Sequence, residues 1–187
     1  MKLILGLGNI GAEYKETRHN CGFKVIELCA AFFHLKMKKR CFRLYQRAKL
    51  QKDDESFYLI KPLTYMNNSG NILPYFKNVE TKDIIVICDQ MDLPLSYIRI
   101  KKGGGTAGHN GIKSIINNLN GEKDFIRIYI GIGRPENGNS VVDHVLGVEK
   151  NQTLFNQGIE KANNALIDII NNESIENVMQ KYNVKLK

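Results

Sequence analysis

Apolar positions along the chain alternate between two rhythms. Residues 3–7 (Leu-Ile-Leu-Gly-Leu) form a short apolar run followed by glycines, the pattern of a strand covered on both faces. Over residues 22–33 the apolar side chains Phe23, Ile26, Ala30 and Phe33 recur at helical spacing. Residues 41–50 and 57–61 predict two strands joined through the polar turn Lys52-Asp53-Asp54-Glu55. Residues 84–88 are a second continuous apolar run, and residues 97–101 alternate like a strand that is wetter on one face. Beyond a glycine cluster, Ile112, Ile115, Ile116 and Leu119 mark a helix, residues 125–130 a strand and residues 131–140 a loop. Phe155, Ile159, Ala162, Leu166 and Ile169 step along an amphipathic helix, and Ser174 is the N-cap of a shorter one reaching Lys181.

Strands and helices alternate without an internal repeat or a Pro-rich linker. This predicts the α/β class: one domain over residues 1–187, a three-layer fold in which helices flank a twisted, mostly parallel (mixed) sheet. The helices from about residue 149 are expected to pack on or beside that core.

With 187 residues, 43% of them hydrophobic, such a chain buries a sizeable core without disulfides or metals. Cys21, Cys29, Cys41 and Cys88 make no C-x-x-C pair and read as buried, reduced thiols. No apolar run is long enough to cross a bilayer, and the N-terminus turns polar too soon for a signal peptide, so the expectation is a cytoplasmic protein without a membrane partner. The formal net charge of +8 adds one thing: it favours a polyanionic partner, RNA or DNA before membrane.

Gly6-Leu7-Gly8-Asn9-Ile10-Gly11 fits the dinucleotide fingerprint directly after a strand. That reading needs a helix opening at the third glycine and an acidic residue about twenty positions on. Neither is present, because Ala12 to Asn20 has no apolar helical period. What remains is a polar loop at the carboxyl end of a buried strand, carrying Asn9, Tyr14, Arg18, His19 and Asn20, where open α/β sheets place their ligand sites. Standing alone, His19 reads as a cap or surface histidine.

Other loops converge on that rim. Asp89 directly follows the second buried run, so its carboxylate emerges beside His19 if the two strands are parallel. A carboxylate next to a neutral imidazole fixes its tautomer and stabilises the imidazolium formed when the ring takes a proton; locally, Asp89 reads almost as well as a turn or helix cap. Residues 62–70 leave the amide of Asn67 at a rim, or serve as a helix-opening loop with an Asn or Ser cap. Gly103-Gly104-Gly105-Thr106-Ala107-Gly108 has more glycine than a turn requires and leads through His109 and Asn110 into the next helix. It lacks the ending of a P-loop. Arg99, Lys101, Lys102 and Lys113 flank it as phosphate contacts, although exposed lysines usually serve only solubility.

Taken in order and spacing, G-L-G-N-x-G-x-x-Y with T-R-H-N, then P-x-T-Y-M-N-x-S-G, D-x-x-D-L-P and G-G-G-x-x-G-H-N-G resemble the bacterial peptidyl-tRNA hydrolase family, from about residue 3 to residue 147. The resemblance implies that His19 is the catalytic base and Asp89 its orienting carboxylate. It implies that Asn9 helps discriminate N-blocked from free aminoacyl esters, and that Asn67 and Asn110 bind the peptide and the terminal nucleotide region. Tyr14 and Tyr65 would line the tRNA acceptor end, and Met66 the wall of the site. Three positions depart from the family: Ile10 stands where proline is usual, Gln90 where an acidic residue is usual, and Tyr129 where a basic one is common. The last shifts the phosphate contact towards Arg99, Lys101 or Arg134.

The expected chemistry is hydrolysis of the ester between peptide and tRNA, recycling tRNA during translation, with tRNA as the partner, no obligate protein partner and a monomeric state. No cofactor and no metal is expected, since His19, His34, His109 and His144 lack metal-ligand spacing, and no G-x-S-x-G elbow offers a nucleophilic serine. The rival is a non-catalytic RNA-binding protein on the same scaffold; a nucleotide-dependent oxidoreductase ranks third.

Overall fold

The computed structural model describes residues 1–39, 41–135, 138 and 140–183. Its strands are β1 (Lys2–Gly6), β2 (Lys38–Lys39), β3 (Tyr45–Lys52), β4 (Glu55–Pro62), β5 (Ile84–Gln90), β6 (Ile98–Lys102) and β7 (Ile126–Gly131). Its helices are α1 (Cys21–Phe32), α2 (Asn110–Asn118), α3 (Val141–Leu146), α4 (Gln152–Ile170) and α5 (Ile175–Tyr182). The strands form one mixed sheet in the order β2-β3-β4-β1-β5-β7-β6. The central strands β4, β1, β5 and β7 run parallel, while β2, β3 and β6 complete the edges antiparallel.

The two continuous apolar runs, β1 and β5, lie side by side in the middle because both of their faces are covered. Ile4, Ile85 and Ile87 point to one side, into a core closed by α1, α4 and α5; Leu3, Leu5 and Val86 point to the other, under α2 and a 3-10 segment at Met66–Tyr75. The sheet is therefore the middle of three layers. In α4 the predicted stripe, Phe155, Ile159, Ala162, Leu166 and Ile169, is the buried face. Each large side chain it takes out of water contributes about 1.5–3 kcal/mol.

Several boundaries differ from the sequence expectation. β3 begins at Tyr45 and not at residue 41, because Phe42 has φ 55° and ends any extended run there. Cys41 is consequently exposed, unlike Cys21, Cys29 and Cys88, which are buried and free; burial pushes the Cys29 thiol up to about 12. The Asn67 loop continues into 3-10 structure with Pro74 inside it. Tertiary packing fixes that segment: the Gly70 N–H donates to Ser114 Oγ of α2 (2.9 Å), and a Cβ at Gly70 would lie 2.3 Å from the Ser114 carbonyl oxygen. α3 was not anticipated either, being too short to show a period; the Ser140 hydroxyl caps it by accepting the Asp143 N–H at 3.0 Å. Of the expected loop at 131–140, residue 131 belongs to β7, and residues 136, 137 and 139 lie outside the described residues.

Candidate active site

Steric exclusion sets the geometry of the first loop. A Cβ on Gly6 would lie 2.2 Å from the Gly22 carbonyl oxygen, and one on Gly22 would lie 2.5 Å from both the Leu7 nitrogen and the Ile87 carbonyl oxygen. These glycines let the first turn of α1 cross the ends of β1 and β5 at backbone contact. The helix opens only at Cys21, after 3-10 turns at Ala12–Tyr14 and Arg18–Asn20, so no helix N-terminus meets the glycine motif as a dinucleotide site requires. The turns put Tyr14, Arg18 and His19 on the rim above the parallel pair.

Asp89, buried near the end of β5, meets His19 there. Its Oδ1 lies 2.6 Å from His19 Nδ1 and 3.1 Å from His109 Nε2. The second imidazole fixes the protonation pattern. His109 is the N-cap of α2, and its Nδ1 accepts the backbone N–H groups of Gly111 (3.1 Å) and Ile112 (3.3 Å). Its Nδ1 therefore carries no proton, and Nε2–H donates to Asp89. With Asp89 ionised and accepting from His19 Nδ1–H as well, the lone pair of His19 is left on Nε2. Burial by itself raises the Asp89 pKa, but the His109 and His19 imidazoles outweigh it and hold the carboxyl well below the usual carboxylate range.

Among the described residues, His19, Asp89 and His109 are also the one cluster close enough to share a metal ion. A neutral imidazole binds a metal through one nitrogen only while the other carries the proton. For His109 that would put a proton on Nδ1, against the two N–H groups that cap α2. The geometry thus favours a hydrogen-bonded triad over a ligand set.

Around this triad the polar side chains are ordered by hydrogen bonds. The Asn9 N–H donates to Asn20 Oδ1 (2.8 Å), and Asn20 Nδ2 returns a bond to the Asn9 carbonyl (3.0 Å). Asn9 Oδ1 accepts the Met66 N–H at 2.7 Å, which leaves Nδ2 as a donor without a partner among the described residues. Met66 is buried against the start of α2, 2.6 Å from where a Cβ on Gly111 would be. Tyr14 and the half-exposed Tyr65 stand edge to face with centroids 6.4 Å apart. A cavity of about 280 Å³ opens beside the triad; His19, Asp89, His109 and Asn110 line its polar side, and Val141 and Val142 of α3 its apolar side.

Not every expected residue converges. Asn67 follows Met66 in the chain but is exposed, and its side chain makes no hydrogen bond among the described residues. Arg99 and Lys101 lie exposed on edge strand β6, opposite Tyr129 and Arg127, and do not line the cavity. Arg134 is exposed and paired with Asp92 at 2.6 Å. Sequence reasoning passed over His109, whose role depends on Asp89, distant in the chain. It also gave no role to Arg18, whose Nε donates to Glu149 at 2.7 Å and whose Nη1 donates to the His144 carbonyl at 2.8 Å. The G-H-N-G motif held the only signal for His109: a polar residue at the N-cap position, able to use one nitrogen on the helix and the other on a neighbour.

An α/β scaffold with an imidazole oriented by a carboxylate beside an open, half-apolar cavity is the framework of an enzyme working by acid–base chemistry. The chain belongs to the peptidyl-tRNA hydrolase family, whose model matches residues 3–187. It is 43% identical to a peptidyl-tRNA hydrolase from Shouchella clausii over 173 residues, covering 89% of this chain and 91% of the relative. It is 42% identical to one from Fusobacterium nucleatum over 192 residues, covering 99% and 97%. Its fold is similar to a crystal structure of peptidyl-tRNA hydrolase from Acinetobacter baumannii, with a TM-score of 0.89 at 32% identity over 98% of this chain and 95% of that one. No helix among the described residues is long and apolar enough to cross a membrane.

Proposed function

We propose that this chain hydrolyses the ester joining a peptide, or an N-blocked aminoacyl group, to the terminal ribose of tRNA, with His19 as general base. The observation that carries the reading is the Asp89 oxygen shared by two imidazoles, since it leaves His19 with an unprotonated Nε2 at the cavity. Water beside Nε2 gives up a proton as it attacks the ester carbonyl. The imidazolium, stabilised by Asp89, then returns that proton to the departing ribose oxygen. General base catalysis of this kind contributes roughly 10²- to 10⁴-fold.

Asn9 Nδ2, fixed because its own oxygen is taken by the Met66 N–H, is the donor for the acyl group, Asn110 completes the polar wall, and the exposed Asn67 meets the peptide outside the cavity. A peptide amide matches such groups, whereas a free α-ammonium leaves them mispaired, which is how polar sites reject close analogues. Tyr14 and Tyr65 take the acceptor end, and Arg99 and Lys101 at the sheet edge attract RNA phosphate. One copy of the chain, acting as a single domain, carries all of these groups.

The deciding assay is release of tRNA from N-acetylaminoacyl-tRNA, run beside unblocked aminoacyl-tRNA and with His19→Ala. The expected outcome is cleavage of the blocked ester alone, lost in the variant. Salt-dependent tRNA binding without cleavage would sink the enzymatic reading in favour of a non-catalytic RNA binder.

A further inference from the structure

The net charge of the chain has one address. Between residues 36 and 52 the sequence carries eight lysines and arginines and no carboxylate, whereas the remainder sets nineteen cations against nineteen acids. The whole formal charge of +8 thus falls on a stretch that leaves α1 and forms β2 and β3, at one edge of the sheet. No ion pair among the described residues involves this stretch. Cations scattered among acids serve solubility, but a block of one sign projects a field that draws a polyanion.

The placement of the cations narrows the partner. Tyr45, Arg47 and Lys49 alternate along β3 onto one face. The Arg47 guanidinium and the Lys49 ammonium lie 4.9 and 5.9 Å from the centroid of the Tyr58 ring on β4, and Arg43 lies 4.6 Å over Tyr75. Buried Tyr45 backs Tyr75 and Phe76, with centroids 5.8 and 5.0 Å away, so these rings are fixed. Arg43 is exposed, which leaves the side of its guanidinium turned away from Tyr75 open. Next to it Phe42 is 96% exposed at φ 55°, a left-handed conformation that bulky side chains seldom adopt.

Rings interleaved with unpaired cations suit unpaired RNA, whose bases stack on aromatic and guanidinium planes while its phosphates meet the charge. A duplex closes its base faces to such contacts. A bilayer surface takes up uncovered apolar side chains, whereas here the two tyrosine rings lie beneath cations. Four strands separate β3 from β6, about 24 Å at the usual strand spacing, so this face is distinct from the edge that carries Arg99 and Lys101.

We propose that the β3 face, through Arg43, Arg47, Lys49 and Phe42, binds an unpaired RNA strand other than the substrate tRNA and so holds the protein on a second RNA. That the strand is not the substrate's rests on the functional reading above, in which the acceptor end is taken by Tyr14 and Tyr65; the RNA-binding face itself does not.

Fluorescence anisotropy tests the face, using a labelled oligouridylate of about a dozen nucleotides and an RNA duplex of similar length. The wild type should bind the unpaired strand more tightly than the duplex, with an affinity that falls as salt rises. Combining Arg43→Gln, Arg47→Gln and Lys49→Gln should weaken that binding by roughly ten- to a hundredfold and flatten its salt dependence. Phe42→Ala removes an almost wholly exposed ring, so it cannot unfold the protein, and it should cost roughly tenfold on the unpaired strand alone. Equal affinity for strand and duplex, unchanged by Phe42→Ala, would mean general charge attraction and overturn the proposal. Displacement of the oligouridylate by saturating tRNA would overturn the second RNA by assigning the face to the substrate. Binding to vesicles of anionic phospholipid in place of the oligouridylate, lost in the triple variant, would overturn it in favour of a membrane surface. Failure to cleave N-acetylaminoacyl-tRNA would overturn the functional reading alone, since anisotropy is read without catalysis.

Discussion

At the residue scale, the site depends on which groups donate to one oxygen of Asp89. Asparagine there would present an amide that can donate to His19 Nδ1, driving the proton to Nε2 and removing the base while leaving the shape intact. Asp89→Asn is therefore expected to lower kcat by roughly 10³- to 10⁴-fold with tRNA affinity retained, measured by single turnover and by equilibrium binding. The same carboxylate makes stability depend on pH. Burial opposes ionisation, but the two imidazoles hold the folded-state pKa below the unfolded value of about 3.9. A depressed folded pKa contributes stability that is complete above the unfolded value and is lost as pH falls through that value towards the folded one. Urea unfolding between neutral pH and about pH 3 should show the wild type losing this increment on acidification, and Asp89→Asn should give a flatter profile. Parallel profiles would mean that the two imidazoles do not stabilise the ionised carboxylate.

At the element scale, helix α2 and the active site share one side chain. His109 caps the helix with Nδ1 and bonds Asp89 with Nε2, so stability and chemistry can be separated at this position. His109→Ala should cost about 1 kcal/mol through the lost cap and reduce kcat. His109→Asn keeps an acceptor for the first-turn N–H groups, so it should recover the stability and not the rate. An Asn variant with wild-type kcat would show that the Asp89 bond has no part in catalysis. The same element shows what sequence could and could not reveal. Ile112, Ile115 and Ile116 announced the helix by spacing alone, and the continuous runs in β1 and β5 announced their central place, because one-dimensional periodicity carries that information. The meeting of His19 and Asp89 was legible because β1 and β5 pair in parallel, which brings the loop after β1 and the end of β5 to one rim. His109 was not, since its meaning lies in a contact with another element. The 3-10 segment at Met66–Tyr75 is likewise fixed by packing against α2, which no local pattern states.

At the scale of the whole molecule, the turn that carries His19 is tied to the last quarter of the chain. Arg18 Nε meets Glu149, 131 residues away, at 2.7 Å, with both side chains nearly buried, and the Arg18 N–H donates to the Gly147 carbonyl at 3.0 Å. Thr17 pairs with Val148 in an isolated antiparallel bridge. Glu149 also accepts the Asn151 N–H at the start of α4; burial works against its ionisation, but Asn151 and Arg18 prevail and keep the carboxylate charged. The residue after Arg18 is His19, so the turn that carries this imidazole is anchored to the segment leading into α4. Removing one partner leaves the other charge poorly solvated, at a cost of about 3 kcal/mol for a well-buried pair. Arg18→Ala and Glu149→Ala should therefore each destabilise the fold and lower kcat, although Glu149 does not line the His19 cavity. In the double variant the losses should be far from additive, because the second substitution removes a charge already stranded by the first. Additive losses in urea unfolding, or a Glu149→Ala enzyme that is destabilised yet turns over at the wild-type rate, would show that the C-terminal segment supports the fold without orienting the base.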